Sequence, residues 1–342
     1  MAGGIRDGNI SDNAQINPSK IAGGMGQLLR KGRKFLYVDG DFGGDSNSGK
    51  TVANPKKTIQ AAVDAANNWD GIRVFPKSMA SGATDPESYA ETVIIPAELD
   101  GLSIIGVGTG RTQGGLPQVK IGAGSTAMFT IRAPGVVIAN LGINGASSTG
   151  GGILLDDDGS TKTAFGVTIS NCHFKNCNTH ATNGATGGAI YASSTGGAWQ
   201  LLVQSCRFYK CVGGIVLVGT SGSVPQDWVI DDCVFGTGVN TETDVDIYCA
   251  ASGVIGLTIR GCDFATVDVP ASGTIARYIS LGAGTKGLIS NSRFACISQG
   301  TGAKTFGAAG NACIIPTTVR ISGCYGEPAS DATGDSGDIY RT

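Results

Sequence analysis

Apolar and polar residues alternate along most of the chain in short runs that recur at nearly constant spacing. The runs VTISNCHF (167–174), LLVQSCRF (201–208), VIDDCVF (229–235), LTIRGCDF (257–264), LISNSRF (288–294) and VRISGCYG (319–326) align on one position. That position holds Cys172, Cys206, Cys233, Cys262, Ser292 and Cys324, with successive spacings of 34, 27, 29, 30 and 32 residues. VVIANLGI (136–143) joins the frame with Leu141 at the marker, 31 residues before Cys172, and LSIIGVG (102–108) reads as an earlier, more diverged unit.

A period of two is the mark of a half-buried strand. Val167 and Ile169 point inward and Thr168 and Ser170 outward, followed by a turn residue: Asn171, Ser205, Asp232, Gly261, Asn291 or Gly323. The chain turns inward again at the marker and at the aromatic two places on. A further apolar run separates the markers, at 153–155, 189–192, 214–218, 246–250, 278–281 and 313–316. The unit therefore predicts an all-β fold, a right-handed single-stranded parallel β-helix in which each coil buries the apolar face of the next, about 4.8 Å away. Seven or eight coils give a prism roughly 35–40 Å tall. A β-sandwich also alternates, but it does not repeat one residue type at one place in every unit.

The N-terminal third breaks this rhythm once. Ile59, Ala62, Val63 and Ala66 recur at helical spacing behind Thr58, a good N-cap, and predict a short helix that caps the open first coil. The resulting organisation is a docking segment or linker over 1–34, a β-helix over 35–330 (cap 35–92, coils 93–330) and a tail over 331–342.

Composition agrees with many tight turns: 55 of the 342 residues are glycine and only 15% are charged. A formal net charge of −2 offers nucleic acid no attraction, and no run approaches the ~18 apolar residues of a membrane span. The N-terminus lacks the apolar stretch of a secretory signal, so the chain is expected to fold in a reducing cytoplasm. Its ten cysteines then read as core packing, since Ser292 and Leu141 fill the same slot and no C-x₂-C pair suggests a metal.

Two stretches carry a family resemblance. Tyr37-Val38-Asp39, the turn Asp45 to Gly49, Thr58 to Ala62, Ile72 to Pro76 and Tyr89 to Pro96 resemble the opening of phage and bacterial surface proteins with a pectate-lyase-like β-helix. An insertion at 77–88 replaces the glycine that the family pattern carries after its V-x-P proline. Residues 10–21, ISDNAQINPSKI, are similar to the segments that open tail-fibre and head-fibre proteins. The resemblance implies docking onto a virion through Ile10, Ile16, Lys20, Ile21, Leu28 and Leu29; a flexible basic linker is the alternative. It also implies a homotrimer, virion proteins of the capsid or tail as partners, and a place on the virion surface after assembly in the host cytoplasm.

Candidate chemistry is sparse. GDSNSGKT (44–51) fits the phosphate-loop pattern, but Pro55 keeps Asn54 from helical geometry and the helix starts near Thr58, so a small-residue turn is expected. Asp39, Asp41, Asp45 and Asn47 in the same region could offer oxygens to calcium, yet they read better as turn residues. Asp231-Asp232 is the best carboxylate pair for sugar hydrolysis, but the repeat sends one outward and the other into a turn. Asp156-Asp157-Asp158 reads as a solvated turn. Asp244 and Asp246 flank Val245 and are expected on one outer face, as a weak glycan or metal patch. His173 falls at an outward repeat position, and neither histidine has the flanking segments of a polygalacturonase-like site. No cofactor is predicted. These observations predict a non-enzymatic virion surface protein of the decoration, head-fibre or spike kind; a tailspike-type adhesin or depolymerase acting on host surface polysaccharide is the alternative.

Overall fold

The computed structural model describes residues 34–327 except 84, 109–114, 123–126, 146–150, 160–162, 178–187, 193–197, 212, 218–223, 238–244, 251, 268–273, 276, 298–304 and 307–312. The proposed docking residues Ile10, Ile16, Lys20, Ile21, Leu28 and Leu29, the residues 331–342, and Asp244 lie outside the described residues.

Three parallel sheets wind around one core as a right-handed β-helix, the architecture the repeat predicts. The first sheet has ten strands, from Phe35–Val38 to Val319–Ser322; the second has nine, from Ser88–Glu91 to Tyr325–Glu327; the third has eight, from Val93–Ile95 to Cys313–Ile314. The first sheet is longer than the marker repeat suggests because Phe35–Val38 and Gly71–Val74 form its first two rungs. Among the described residues no helix is long and apolar enough to cross a membrane.

The period-two pattern becomes vertical ladders of like residues. Inward from the first sheet, Ile72, Ile104, Ile138, Ile169, Val203, Ile230, Ile259 and Ile289 stack in register, all fully buried. Inward from the second sheet, Phe174, Phe208, Phe235, Phe264 and Phe294 stack with centroids 5.0, 4.6, 4.9 and 4.8 Å apart and planes within 4° of parallel. Ring spacing follows strand spacing, so backbone hydrogen bonding imposes the stack and burial stabilises it.

One residue makes the corner between these two sheets. Asn140, Asn171, Ser205, Asp232, Gly261, Asn291 and Gly323 all have φ between 49° and 65°, the left-handed region that Asn, Asp and Gly enter at least cost. Each of the first six donates its amide to the next coil, as Asn171 does to the Gln204 carbonyl at 3.0 Å and Asp232 to that of Arg260 at 3.1 Å.

The marker cysteines sit just inside that corner. Cys172, Cys206, Cys233 and Cys262 are at most 2% exposed. Each thiol donates to the carbonyl two residues back, at 3.3–3.4 Å, and to the preceding coil at 3.6–3.8 Å. Ser292 repeats the first bond with its hydroxyl, 3.0 Å from the Ser290 carbonyl. The slot thus wants a small side chain with one donor, and nine of the cysteines are free thiols, eight of them buried. Burial pushes the Cys206 thiol well above its ordinary value and that of Cys249 up to about 11. A thiol that stays protonated is a poor nucleophile. Because all eight are buried away from solvent, Cys172, Cys177, Cys206, Cys211, Cys233, Cys249, Cys262 and Cys313 are expected to ignore a thiol reagent at mildly alkaline pH until the protein is denatured. Rapid labelling of any of them in the native protein, read by mass spectrometry, would contradict this packing.

The helix covers Ile59–Asp64, two residues shorter than the apolar stripe suggests, and buries Ile59, Ala62 and Val63. It packs against Phe35–Val38, Gly71–Val74, Ser88–Glu91 and Val93–Ile95, where the three sheets begin. That is where a cap belongs; its effect on the end of the solenoid is a matter for deletion experiments.

Candidate functional site

The first stretch to settle is the phosphate-loop pattern. Helix-start amides would have to face a phosphate, but here they are already bound. The Thr58 hydroxyl accepts from the Ala61 amide at 3.2 Å. The two oxygens of Glu91 accept from the Ile59 and Gln60 amides, both at 3.0 Å. Asp45 takes the Lys57 and Thr58 amides and the Thr58 hydroxyl at 3.0–3.2 Å. Burial raises the Glu91 carboxyl, and the two amides it accepts from oppose that shift. GDSNSGKT is a turn whose Asp45 fastens it to the helix.

The carboxylates considered for calcium are engaged in bonds of their own. Asp39 accepts from the amides of Asp41 and Phe42 and so closes a turn, and Asp41 accepts from the amide and hydroxyl of Ser78 and ties that turn to the segment after Phe75. No group of three metal-ligating side chains converges among the described residues.

Nor do the carboxylate pairs converge. Asp231 accepts two bonds from the Arg260 guanidinium at 2.9 and 3.0 Å, which hold its carboxyl below the usual range. Asp232 occupies the corner and accepts from the Ser205 hydroxyl at 2.8 Å. Asp156 pairs with Arg132 at 3.1 Å, and Asp157 closes a turn onto the Gly159 amide.

Asp246 is corrected. The alternation predicts an outer position, but the residue is 3% exposed. Strand Val245–Cys249 pairs with Gly213–Leu217 through Gly213↔Val245 and Ile215↔Ile247, and the pair between them is skipped. A Cβ on Gly214 would meet the Asp246 carbonyl at 2.4 Å and the Phe235 ring at 3.0 Å, so this column faces the phenylalanine ladder. Local irregularity thus turns a nominally outward position inward.

What the fold does assemble lies on the outer face of the second sheet. The marker-plus-one and marker-plus-three positions project there, and register places Arg207 beside His173 and Val234, and Tyr209 beside Lys175 and Gly236. In these columns the long side chains of His173, Lys175, Arg207 and Tyr209 give way to the short ones of Val234 and Gly236, leaving a pocket of about 250 Å³ lined by these residues and Asp85. The Asp263–Arg293 ion pair, at 2.8 Å, occupies the next rungs.

Positive charge dominates the pocket. Lys175 is 3.8 Å from Asp85, the single carboxylate among the described lining residues, and Lys210 stands 5.3 Å over the Tyr209 ring at the margin. The Nε of Arg207 is buried and has no acceptor among the described residues. A buried donor without a partner costs about 1–3 kcal/mol, so an acceptor brought by a ligand gains more here than on an open surface. Tyr209, 43% exposed, adds a ring face and a hydroxyl. The arrangement can hold a carboxylate, sulfate or phosphate and present a hydroxylated ring to Tyr209 and His173.

Much of this was legible in the aligned runs, where C-H-F-K and C-R-F-Y stand next to C-V-F-G. The outward reading of His173 holds, whereas Lys175, Arg207 and Tyr209 escape notice because each is unremarkable alone. Asp85 comes from the insertion at 77–88, and no repeat places it.

No protein-family profile and no curated protein matches the chain. Solved structures do. Pectin methylesterase from Aspergillus niger aligns over 90% of this chain and 89% of its own, with 12% identity and a TM-score of 0.43. The A-module of a mannuronan C-5 epimerase from Azotobacter vinelandii aligns over 84% and 76%, with 13% identity and a TM-score of 0.42. The ORF18 protein of Geobacillus virus E2 aligns over 89% of this chain but 63% of its own, with 14% identity and a TM-score of 0.41. These likenesses are of fold, the parallel β-helix.

They also correct the expectation of a chain without enzyme activity. The structures matched are mainly carbohydrate-active enzymes. The physical flaw in that expectation is plain: on a solenoid, a site is assembled from residues one coil apart, so a search for clustered motifs along the chain misses it.

Proposed function

We propose that this protein is a surface subunit of a bacteriophage virion that recognises an anionic bacterial surface polysaccharide through the pocket on the second sheet. The observation that carries the reading is the buried, acceptor-less Nε of Arg207 beside Lys175 in a pocket with one carboxylate. The resemblance of residues 10–21 to fibre-opening segments supports virion docking through 1–34, and the trimer belongs to the same reading.

The test is binding of the full chain to acidic and neutral polysaccharides from host surfaces, measured by calorimetry. Acidic chains are expected to bind more tightly, with affinity falling as salt rises. A charge-assisted hydrogen bond is worth about 1.5–3 kcal/mol, so Arg207→Ala is expected to weaken acidic binding roughly 10- to 150-fold. Equal binding of acidic and neutral chains, or an unaffected R207A, would overturn the assignment. Oligosaccharide released in the same incubation would identify a depolymerase, and binding without release an adhesin.

A further inference from the structure

A second solvent-facing row lies at the corner leading from the third sheet into the first. Five successive coils turn this corner through a left-handed residue: Gly135, Gly166, Gln200, Asp227 and Gly256 have φ between 54° and 77°. Immediately before them stand Pro134, Phe165, Trp199, Gln226 and Ile255. Amide bonds tie coil to coil here: Gly135 to the Phe165 carbonyl, Gly166 to Trp199, Gln200 to Gln226 and Asp227 to Ile255, at 2.7–2.8 Å. Trp199, Gln226 and Ile255 also form parallel bridges. The row therefore rises one side chain per coil, about 4.8 Å at a time.

Its members present apolar surface in fixed orientations. Phe165 is 39% and Ile255 46% exposed, and Trp199 is half-buried. Phe165 and Trp199 meet edge to face, with centroids 6.5 Å apart and planes at 76°. The Trp199 indole N–H donates to the Val224 carbonyl at 3.0 Å, so its orientation is set from within. Trp69, 46% exposed, stands at the same corner in the first coil and lies so close over Gly101 that a Cβ there would come within 2.0 Å of its ring.

We propose that this ridge is a stacking track for a linear, uncharged stretch of polysaccharide, with sugar rings laid on Phe165 and Trp199 and a hydroxyl bound by the exposed Gln226 amide. Three observations choose this occupant. The row is one side chain wide and carries five residues, whereas a stable protein interface needs about 20–30 a side. The five residues from Pro134 to Ile255 carry no charge, with Asp100 and Lys286 standing at the two ends of the row, so the middle suits the C–H faces of neutral sugars rather than acidic groups. The rings are held in place, so binding costs little ordering of the site. A protein surface would need breadth that this corner lacks; a chain of sugars needs length, which the coil repeat supplies. The inference stands apart from the pocket of the second sheet, and neither requires the other.

The experiment titrates the full chain with neutral linear hexasaccharides of β-1,4-, β-1,3- and α-1,4-linked glucose, read by intrinsic tryptophan fluorescence and calorimetry. At least one is expected to shift the fluorescence, with affinity about tenfold weaker in Phe165→Ala and unchanged in Arg207→Ala. Trp199→Phe, which keeps a ring at the site, is expected to bind with the fluorescence response reduced. No response to any of the sugars, or equal affinity in F165A, would overturn the proposal. So would a change of oligomeric state in F165A by sedimentation, which would make the ridge a contact between copies. Loss of acidic binding in R207A with the ridge response intact would separate failure of one site from failure of the other.

Discussion

Replacing Phe235 with alanine is expected to lower the unfolding free energy by about 3–5 kcal/mol, the range for a fully buried aromatic. Phe235 is the middle of the stack, 4.6 Å from the Phe208 ring and 4.9 Å from that of Phe264, with no exposed surface. The cost should lie toward the upper end because the hole cannot collapse. Rungs on either side are held apart by parallel backbone pairing, Val234–Thr237 with Arg207–Tyr209 before it and Asp263–Val267 after it. Phe235→Leu keeps most of the volume and should cost markedly less. Denaturant unfolding measures both; a loss below about 1 kcal/mol for F235A would mean the stack is an ornament of the rung spacing rather than a source of stability. Coils contact mainly their neighbours, so hydrogen exchange should show lost protection concentrated in the coils flanking residue 235.

Trp228→Ala is expected to cost a similar amount, about 3–5 kcal/mol, for two separable reasons. The ring is fully buried, and its indole N–H donates to the Ala198 carbonyl at 2.8 Å. Ala198 immediately precedes Trp199, so the buried tryptophan of one coil holds the backbone that presents the half-exposed tryptophan of the previous one. Trp228→Phe keeps most of the apolar volume but leaves that carbonyl without its donor, for about 1–3 kcal/mol. Thermal unfolding of both variants tests this: W228F as stable as the parent would show that the hydrogen bond contributes nothing.

These expectations rest on features of unequal legibility. The cysteine marker, the left-handed corner and the in–out alternation can be read from the aligned runs because each is a local rule repeated coil after coil. Asn171, Ser205, Asp232, Gly261, Asn291 and Gly323 look like turn residues and are the corner, six times over. Asp246 shows where the local rule fails. Its alternation is intact in the sequence, yet skipped pairs on both sides, beside Gly214 and beside Tyr278, go with a backbone position turned toward the phenylalanine ladder. Burial there depends on which rung lies opposite, and that is a property of two coils.

The same distinction separates the two surface features from the fold that carries them. Side-chain size, period and φ preference act within a few residues, so the chain alone dictates parallel coils, their ladders and their corners. Arg207 beside His173, Lys175 beside Asp85, and Phe165 against Trp199 are neighbours because coils of unequal length come into register, and an insertion folds back over one face. Register is set by the whole stack of hydrogen-bonded rungs, which is why the pocket and the ridge emerge only once the coils are wound.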